Sequence, residues 1–251
     1  MSGSGVETRE VGPGVHVVTF RNPPHNGFTT PLCAEVIDTL NRLSADPELR
    51  ALVITSEGSI FSGGADLKEV QSGHTDPTIV LNELLDAVVA VPVPVIAAIN
   101  GHAAGGGLEL AVACDIRLAA PNATFTASAV NVGLFAGWHR LPRLIGLSRA
   151  TEMLLTGLRY SSADAESWGL LRVARDADVL DEAIELALRI GSRAPLSVRA
   201  LVQALRGTFD VDDAHARIHQ NETFAALRRS EDHAEALSAF FAKRTPDFHA
   251  R

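Results

Sequence analysis

Apolar residues recur along the chain with two different periods, and the alternation between those periods predicts its elements. Residues 15–20, V-H-V-V-T-F, are apolar and β-branched and predict a strand, and residues 21–27, R-N-P-P-H-N-G, have turn chemistry only. Leu32, Val36, Ile37 and Leu40 then follow helical spacing over 31–43, with Pro31 in the first turn and Thr30 as the expected cap. Residues 51–55 form a second strand, 60–70 run through Gly63, Gly64 and Ala65 into a short helix, 71–76 read as a loop, and 77–89 as a helix. Val93, Val95, Ile96 and Ile99 lie between prolines and Asn100-Gly101 without polar alternation, the pattern of a strand covered on both faces. Gly105, Gly106 and Gly107 precede the helical pattern Leu108, Leu110, Ala111, Ala113, and short strands follow at 116–119 and 123–127. Strand and helix alternating in this way predict an α/β fold built from crossover units.

From Leu141 onward the pattern is helical, at 141–145, 149–156, 163–168, 180–191, 196–205, 212–229 and 232–243, with no strand expected between the helices. The shift at Pro195 divides the chain into a core, 1–194, and a carboxy-terminal helical region, 195–251.

Chemistry is expected where strands run into glycine-rich helix starts. The first amides of a helix lack internal partners and carry the positive end of its dipole, so a helix start without Cβ atoms can hold an anion or an oxygen becoming one. Such preorganised amides are worth about 3–4 kcal/mol each in rate. Two bends have this character, Gly63-Gly64-Ala65 and Gly105-Gly106-Gly107, and each can offer one amide. The alternative for the second is a turn packed tightly on a neighbouring strand, with Glu109 a first-turn acid favoured by the dipole.

Composition narrows the class. A chain of 251 residues with 46% hydrophobic and 21% charged positions can bury a large core, and its net charge of −8 argues against non-specific nucleic-acid binding. Lys68 and Lys243 are the only lysines. Cys33 and Cys114 lack metal-ligand spacing and read as buried small hydrophobes of a reducing compartment, so neither a metal nor a disulfide is expected. The start of the chain has no signal-peptide pattern, and its longest apolar run, 87–99, is broken by prolines and too short for a bilayer. A cytoplasmic protein without membrane contact is expected.

The segment F-S-G-G-A-D-L-K-E and the segment I-A-A-I-N-G-H-A-A-G-G-G-L-E-L-A-V-A-C-D-I resemble, in that order, the two oxyanion motifs of the crotonase superfamily, the enoyl-CoA hydratase/isomerase family. The resemblance spans nearly the whole chain. It implies a spiral of ββα units followed by a helical region that builds a trimer or a dimer of trimers. It implies an acyl-CoA thioester as substrate, with CoA entering as part of the substrate and no other cofactor. Ala65 and Gly106 would supply the oxyanion amides, and Glu109, two residues after the last glycine, would carry a proton. Asn26 and Phe28, in a segment similar to one that approaches CoA, together with Gly63, Asp66, Leu67 and Gly105 beside the amides, would contact the substrate, as would Phe240 and Lys243 in the terminal segment.

Two departures from that pattern are visible. Hydratases of the family use a second glutamate about twenty residues on, in an F-x-x-P-E segment, and here Ala129 takes its place in F-T-A-S-A. The following G-L-F-A-G-W-H-R-L-P-R is shorter than the family's glycine-rich loop, and it brings Trp138 toward the acyl pocket and puts His139 where the motif has glutamine. His74, His102 and His139 are the histidines weighed for acid–base work, the last two with packing as the competing role. Hydration of a 2-enoyl-CoA to a 3-hydroxyacyl-CoA is therefore expected first. Isomerisation, decarboxylation or hydrolysis of another acyl-CoA comes second, and a CoA-binding scaffold without turnover third. Chain length and branching of the acyl group are not legible.

Overall fold

The computed structural model describes residues 5–73, 77–175 and 178–251; His74 lies outside them. The chain opens with a hairpin, β1 (Gly5–Gly12) and β2 (Val15–Arg21), then α1 (Thr30–Ser44). Three strand pairs each lead into helix or 3-10 structure: β3 (Ala51–Ser56) and β4 (Ile60–Ser62) into α2 (Leu67–Ser72) and α3 (Pro77–Ala90); β5 (Val95–Ile99) and β6 (His102–Ala104) into α4 (Gly106–Ala113); β7 (Ile116–Ala119) and β8 (Thr124–Thr126) into a 3-10 turn (Ser128–Val132), α5 (Leu141–Ile145) and α6 (Leu147–Thr156). β9 (Arg159–Ser161), α7 (Ser162–Ser167) and β10 (Arg172–Val173) follow, and the chain ends in α8 (Val179–Gly191), α9 (Pro195–Arg206), α10 (Asp213–Leu227) and α11 (Glu231–Ala242).

The repeat explains the topology. The first strand of each pair joins one sheet, in the order β1-β2-β3-β5-β7-β10, and the second joins another, β4-β6-β8-β9. Within the three repeats the strands are parallel, so each unit climbs one strand spacing and the chain winds as a spiral. Side-chain alternation divides the core between the faces of the first sheet. Val17, Val53, Ile96 and Leu118 face Ala183 and Ala187 of α8, whereas Val18, Leu52, Ile54 and Val95 face α1, α3 and α4. Every residue of β3 and β5 is buried, as unalternated apolar runs require.

Several expectations need correction. β9 and β10 lie among helices where none was expected; they are three and two residues long and join as sheet edges, too short for periodicity to register. β1 was not anticipated either, because an edge strand with an exposed middle shows no apolar alternation. The cap of α1 is Thr29, whose side chain accepts from Leu32 N; Thr30 is already helical and donates its N–H to Glu69 at 3.0 Å.

Pro195 does open a helix, and α9 is tied firmly to the preceding units. Arg206, at its last turn, donates from Nε and Nη2 to the two oxygens of Asp115 at 2.8 and 2.6 Å. Its other donors reach the carbonyls of Val89, Val91 and Val93. Asp115 also accepts from Val95 N at 2.8 Å, which sets the start of β5. Among the described residues no helix is long and apolar enough to cross a membrane, and no group of three His, Cys, Asp or Glu side chains can hold a metal ion.

Arg206 and Asp115 are each about one-fifth exposed, so the pair keeps most of its strength against screening. Arg206→Met should lower stability by about 2–3 kcal/mol, since it leaves Asp115 charged and three carbonyls short of a donor. Urea unfolding at fixed protein concentration measures this, and a loss below about 0.5 kcal/mol would show that the pair is replaceable by solvent.

Candidate active site

The first bend leaves β4 and is clamped from both sides. Gly63 donates to His25 O at 2.9 Å, and Gly64 donates to Ser62 Oγ at 3.1 Å. Phe28 donates to Gly64 O at 2.8 Å and accepts from Asp66 N at 2.9 Å, so the peptides flanking Ala65 are held by one residue's backbone. Asp66 then caps α2 by accepting from Lys68 N and Glu69 N. The Ala65 N–H has no partner among the described residues.

The second bend leaves β6 at Gly105, whose φ of +49° disfavours a side chain and whose N–H is held by Thr126 O at 3.0 Å. Gly106 begins α4, where the first amides have no helical acceptor. The two bends touch. A Cβ on Gly64 would stand 2.8 Å from Gly106 N, and one on Gly106 would stand 3.5 Å from Ala65 N. Gly107 serves the other purpose weighed for this triplet, since a Cβ there would meet Ser62 O at 2.4 Å. Close strand packing and an open amide are thus assigned to adjacent glycines.

Glu109 lies in the first turn of α4, half-buried, and lines a cleft of about 460 Å³ together with Ala65 and Gly106. Its Oε1 fits against Gly137, where an added Cβ would come within 2.9 Å and where φ is +74°. Burial raises the Glu109 pKa, opposed by the charge of Arg140. The cleft is lined further by Ser128 and Ala129 and by the exposed side chains of Leu134, Phe135 and Trp138. The Phe135 and Trp138 rings stack at 6.1 Å and 22°, although they are 81% and 60% exposed, which leaves an apolar face toward the cleft. A chamber of about 20 Å³ shares Glu109, Ser128, Ala129 and His139 with the cleft and is bounded also by Arg140 and by apolar side chains of α4, α5 and α6.

Of the residues expected from sequence to meet substrate, Gly63, Ala65, Leu67, Gly105, Gly106, Glu109, Ala129 and Trp138 line this cleft. Others are placed elsewhere. Asn26 is buried with its side-chain amide spent on Asn22 N, Glu57 O and Ile60 O, so it fixes the loop. Phe28 packs its ring on Phe20 in the core and reaches the site only through its backbone. Phe240 and Lys243 are exposed on and after α11 and do not border the cleft of their own chain. His102 also has a packing role, with Nδ1 2.7 Å from Thr124 Oγ1 across the second sheet. Gly137 and Arg140 were not singled out from sequence, because a loop has no periodicity to show which of its residues turn inward.

The chain matches the family described as Enoyl-CoA hydratase/isomerase over residues 10–251. It is 36% identical over 252 residues to the (E)-benzylidenesuccinyl-CoA hydratase of Thauera aromatica, covering 96% of this chain and 98% of that protein. It is 33% identical over 246 residues to the 2,3-dehydroadipyl-CoA hydratase of Escherichia coli, covering 94% and 96%. The crystal structure of an enoyl-CoA hydratase from Bacillus anthracis superposes with a TM-score of 0.93 at 31% identity, over 98% of this chain and all of that one. The spiral of ββα units is therefore the crotonase fold, and the chain belongs to the enoyl-CoA hydratase/isomerase family.

Proposed function

We propose that the protein hydrates a 2-enoyl-CoA thioester to the 3-hydroxyacyl-CoA. The observation that carries this reading is the contact between the two bends, with amides at Ala65 and Gly106 that have no partner among the described residues and a carboxyl group on the same cleft. In the proposed reaction the thioester oxygen sits between these amides. The Cα=Cβ electrons shift toward it as water adds at the β-carbon, and the amides stabilise the enolate. Glu109 delivers the α-proton; its raised pKa keeps the proton in place closer to neutral pH than an ordinary carboxylic acid would. The apolar faces of Phe135 and Trp138 take up the acyl group, and CoA enters only as part of the substrate.

Ala129 supports a second reading. It lines the wall where the resembling hydratases carry a second glutamate, and it cannot transfer a proton. Moving a double bond requires one group to take and return a proton, so Glu109 alone suffices for an enoyl-CoA isomerase. The active unit is proposed to be a homotrimer or a dimer of trimers. Support comes from a groove of about 660 Å³ between α9 and α10 that exposes Leu201, Leu205, Val211 and Phe224.

Four outcomes test these assignments. Incubation with 2-enoyl-CoA thioesters of varied length should give a product heavier by one water; a product of unchanged mass with a shifted double bond would favour the isomerase. Glu109→Gln should lower kcat about 100- to 10,000-fold while thioester binding persists, and full activity in that variant would remove Glu109 from the mechanism. In the wild type, kcat should fall as pH rises through the raised Glu109 pKa, because the proton it donates is then lost. Sedimentation should give three or six times the 26.6 kDa chain mass, and a monomer at micromolar concentration would refute the assembly.

A further inference from the structure

The hydratase reading leaves a gap. Adding water needs a base for the water as well as an acid for the α-carbon, and Ala129 supplies neither. Among the described residues lining the cleft and its chamber, the carboxyl and imidazole side chains are those of Glu109 and His139. Both border the cleft and the chamber, as do Ser128 and Ala129. The chamber volume, about 20 Å³, suits a single water, and Glu109, Ser128, His139 and Arg140 give it the polar partners that a held water needs.

We infer that His139 is the base for the attacking water, in the place that Ala129 leaves without a proton carrier. This rests on the hydratase reading. The imidazole takes a proton from the chamber water as its oxygen bonds to the β-carbon. The π electrons of Cα=Cβ move onto the thioester oxygen, and the enolate collapses as the α-carbon takes the proton of Glu109. The imidazolium then returns its proton to the Glu109 carboxylate across the shared chamber. The sum is one water added to one enoyl thioester, with no further reactant.

The surroundings suit the role. The charged and titratable groups facing His139 are Glu109 from α4, its neighbour Arg140, and Arg143 on α5. Partial desolvation of this otherwise exposed ring, together with the charges of Arg140 and Arg143, lowers the imidazole pKa from its usual range and so favours the neutral form at pH 7. Trp138 packs at 5.8 Å on one side of the ring. His139 is itself exposed toward the cleft, so replacing it removes little packing.

The test compares hydration by wild type, His139→Gln, and His139→Gln with Ala129→Glu, across pH, with folding checked by circular dichroism. His139→Gln should lower kcat about 100- to 10,000-fold with a smaller change in KM, and should remove the acid limb of the kcat/KM profile. Ala129→Glu should then restore kcat at least about tenfold, with an acid limb moved into the carboxylate range. His139→Gln with wild-type kcat and pH profile overturns the inference and leaves the hydratase reading intact. A slowed variant whose acid limb is unmoved and which Ala129→Glu does not rescue also overturns it, because that is a structural loss. A wild type that binds the thioesters but hydrates none of them removes the hydratase reading, and the inference falls with it.

Discussion

The site depends on the approach of two backbone bends at Gly64 and Gly106, closer than any Cβ allows. Neither bend alone is a site, since a single amide at a helix start serves any passing acceptor. Their contact is possible because β4 and β6 are parallel neighbours in the second sheet, so both strands deliver their helices on the same side of it. The ββα repeat is thus the cause of the juxtaposition, and the glycines are the condition that lets the repeat close to that distance. Gly107 against Ser62 fixes the spacing one residue further on.

A short helix holds Glu109 only if both ends of that helix are fixed. The start of α4 is held by Gly105 N on Thr126 O and by the packing of Gly107. The end is held by half-buried Arg117, which donates to Cys114 O and Leu170 O, and by Asp115, which binds Val95 N and Arg206. The last helix turn before residues 207–251 therefore bears directly on the strand and helix that carry the site. Division of the chain at Pro195 describes the change in sequence pattern, while the polar contacts run across it.

What was legible in the sequence follows from what leaves a periodic trace. β3 and β5 were readable because both faces are buried, and α1 because one stripe is. β9 and β10 were not, because two or three residues at a sheet edge bury too little to leave a pattern. The bends were visible as glycines. What separates Gly106 from Gly107, one bordering the cleft and one packed on β4, is set by tertiary contact and has no sequence signal. Asn26 and Phe28 lie in the right segment, but the fold uses them to build the first bend, through side-chain amide in one case and main chain in the other.

Electrostatics explains why an alanine at position 129 is compatible with proton transfer at this site. Two carboxyl groups facing each other across a partly dry cleft raise each other's pKa, so one is held protonated chiefly by repulsion from its partner. Here burial alone raises Glu109, with Arg140 opposing. A neutral imidazole lining the same cleft adds no negative charge to it, and desolvation with the charges of Arg140 and Arg143 disfavours protonation of that imidazole. In the proposed hydration, acid and base are then distinguished by their chemistry, carboxyl against imidazole, and no longer by a split imposed on two like groups. In such a site the arginines favour the carboxylate and disfavour the imidazolium, the two forms that exist before the site resets. Their placement next to His139 therefore favours return of the proton to Glu109.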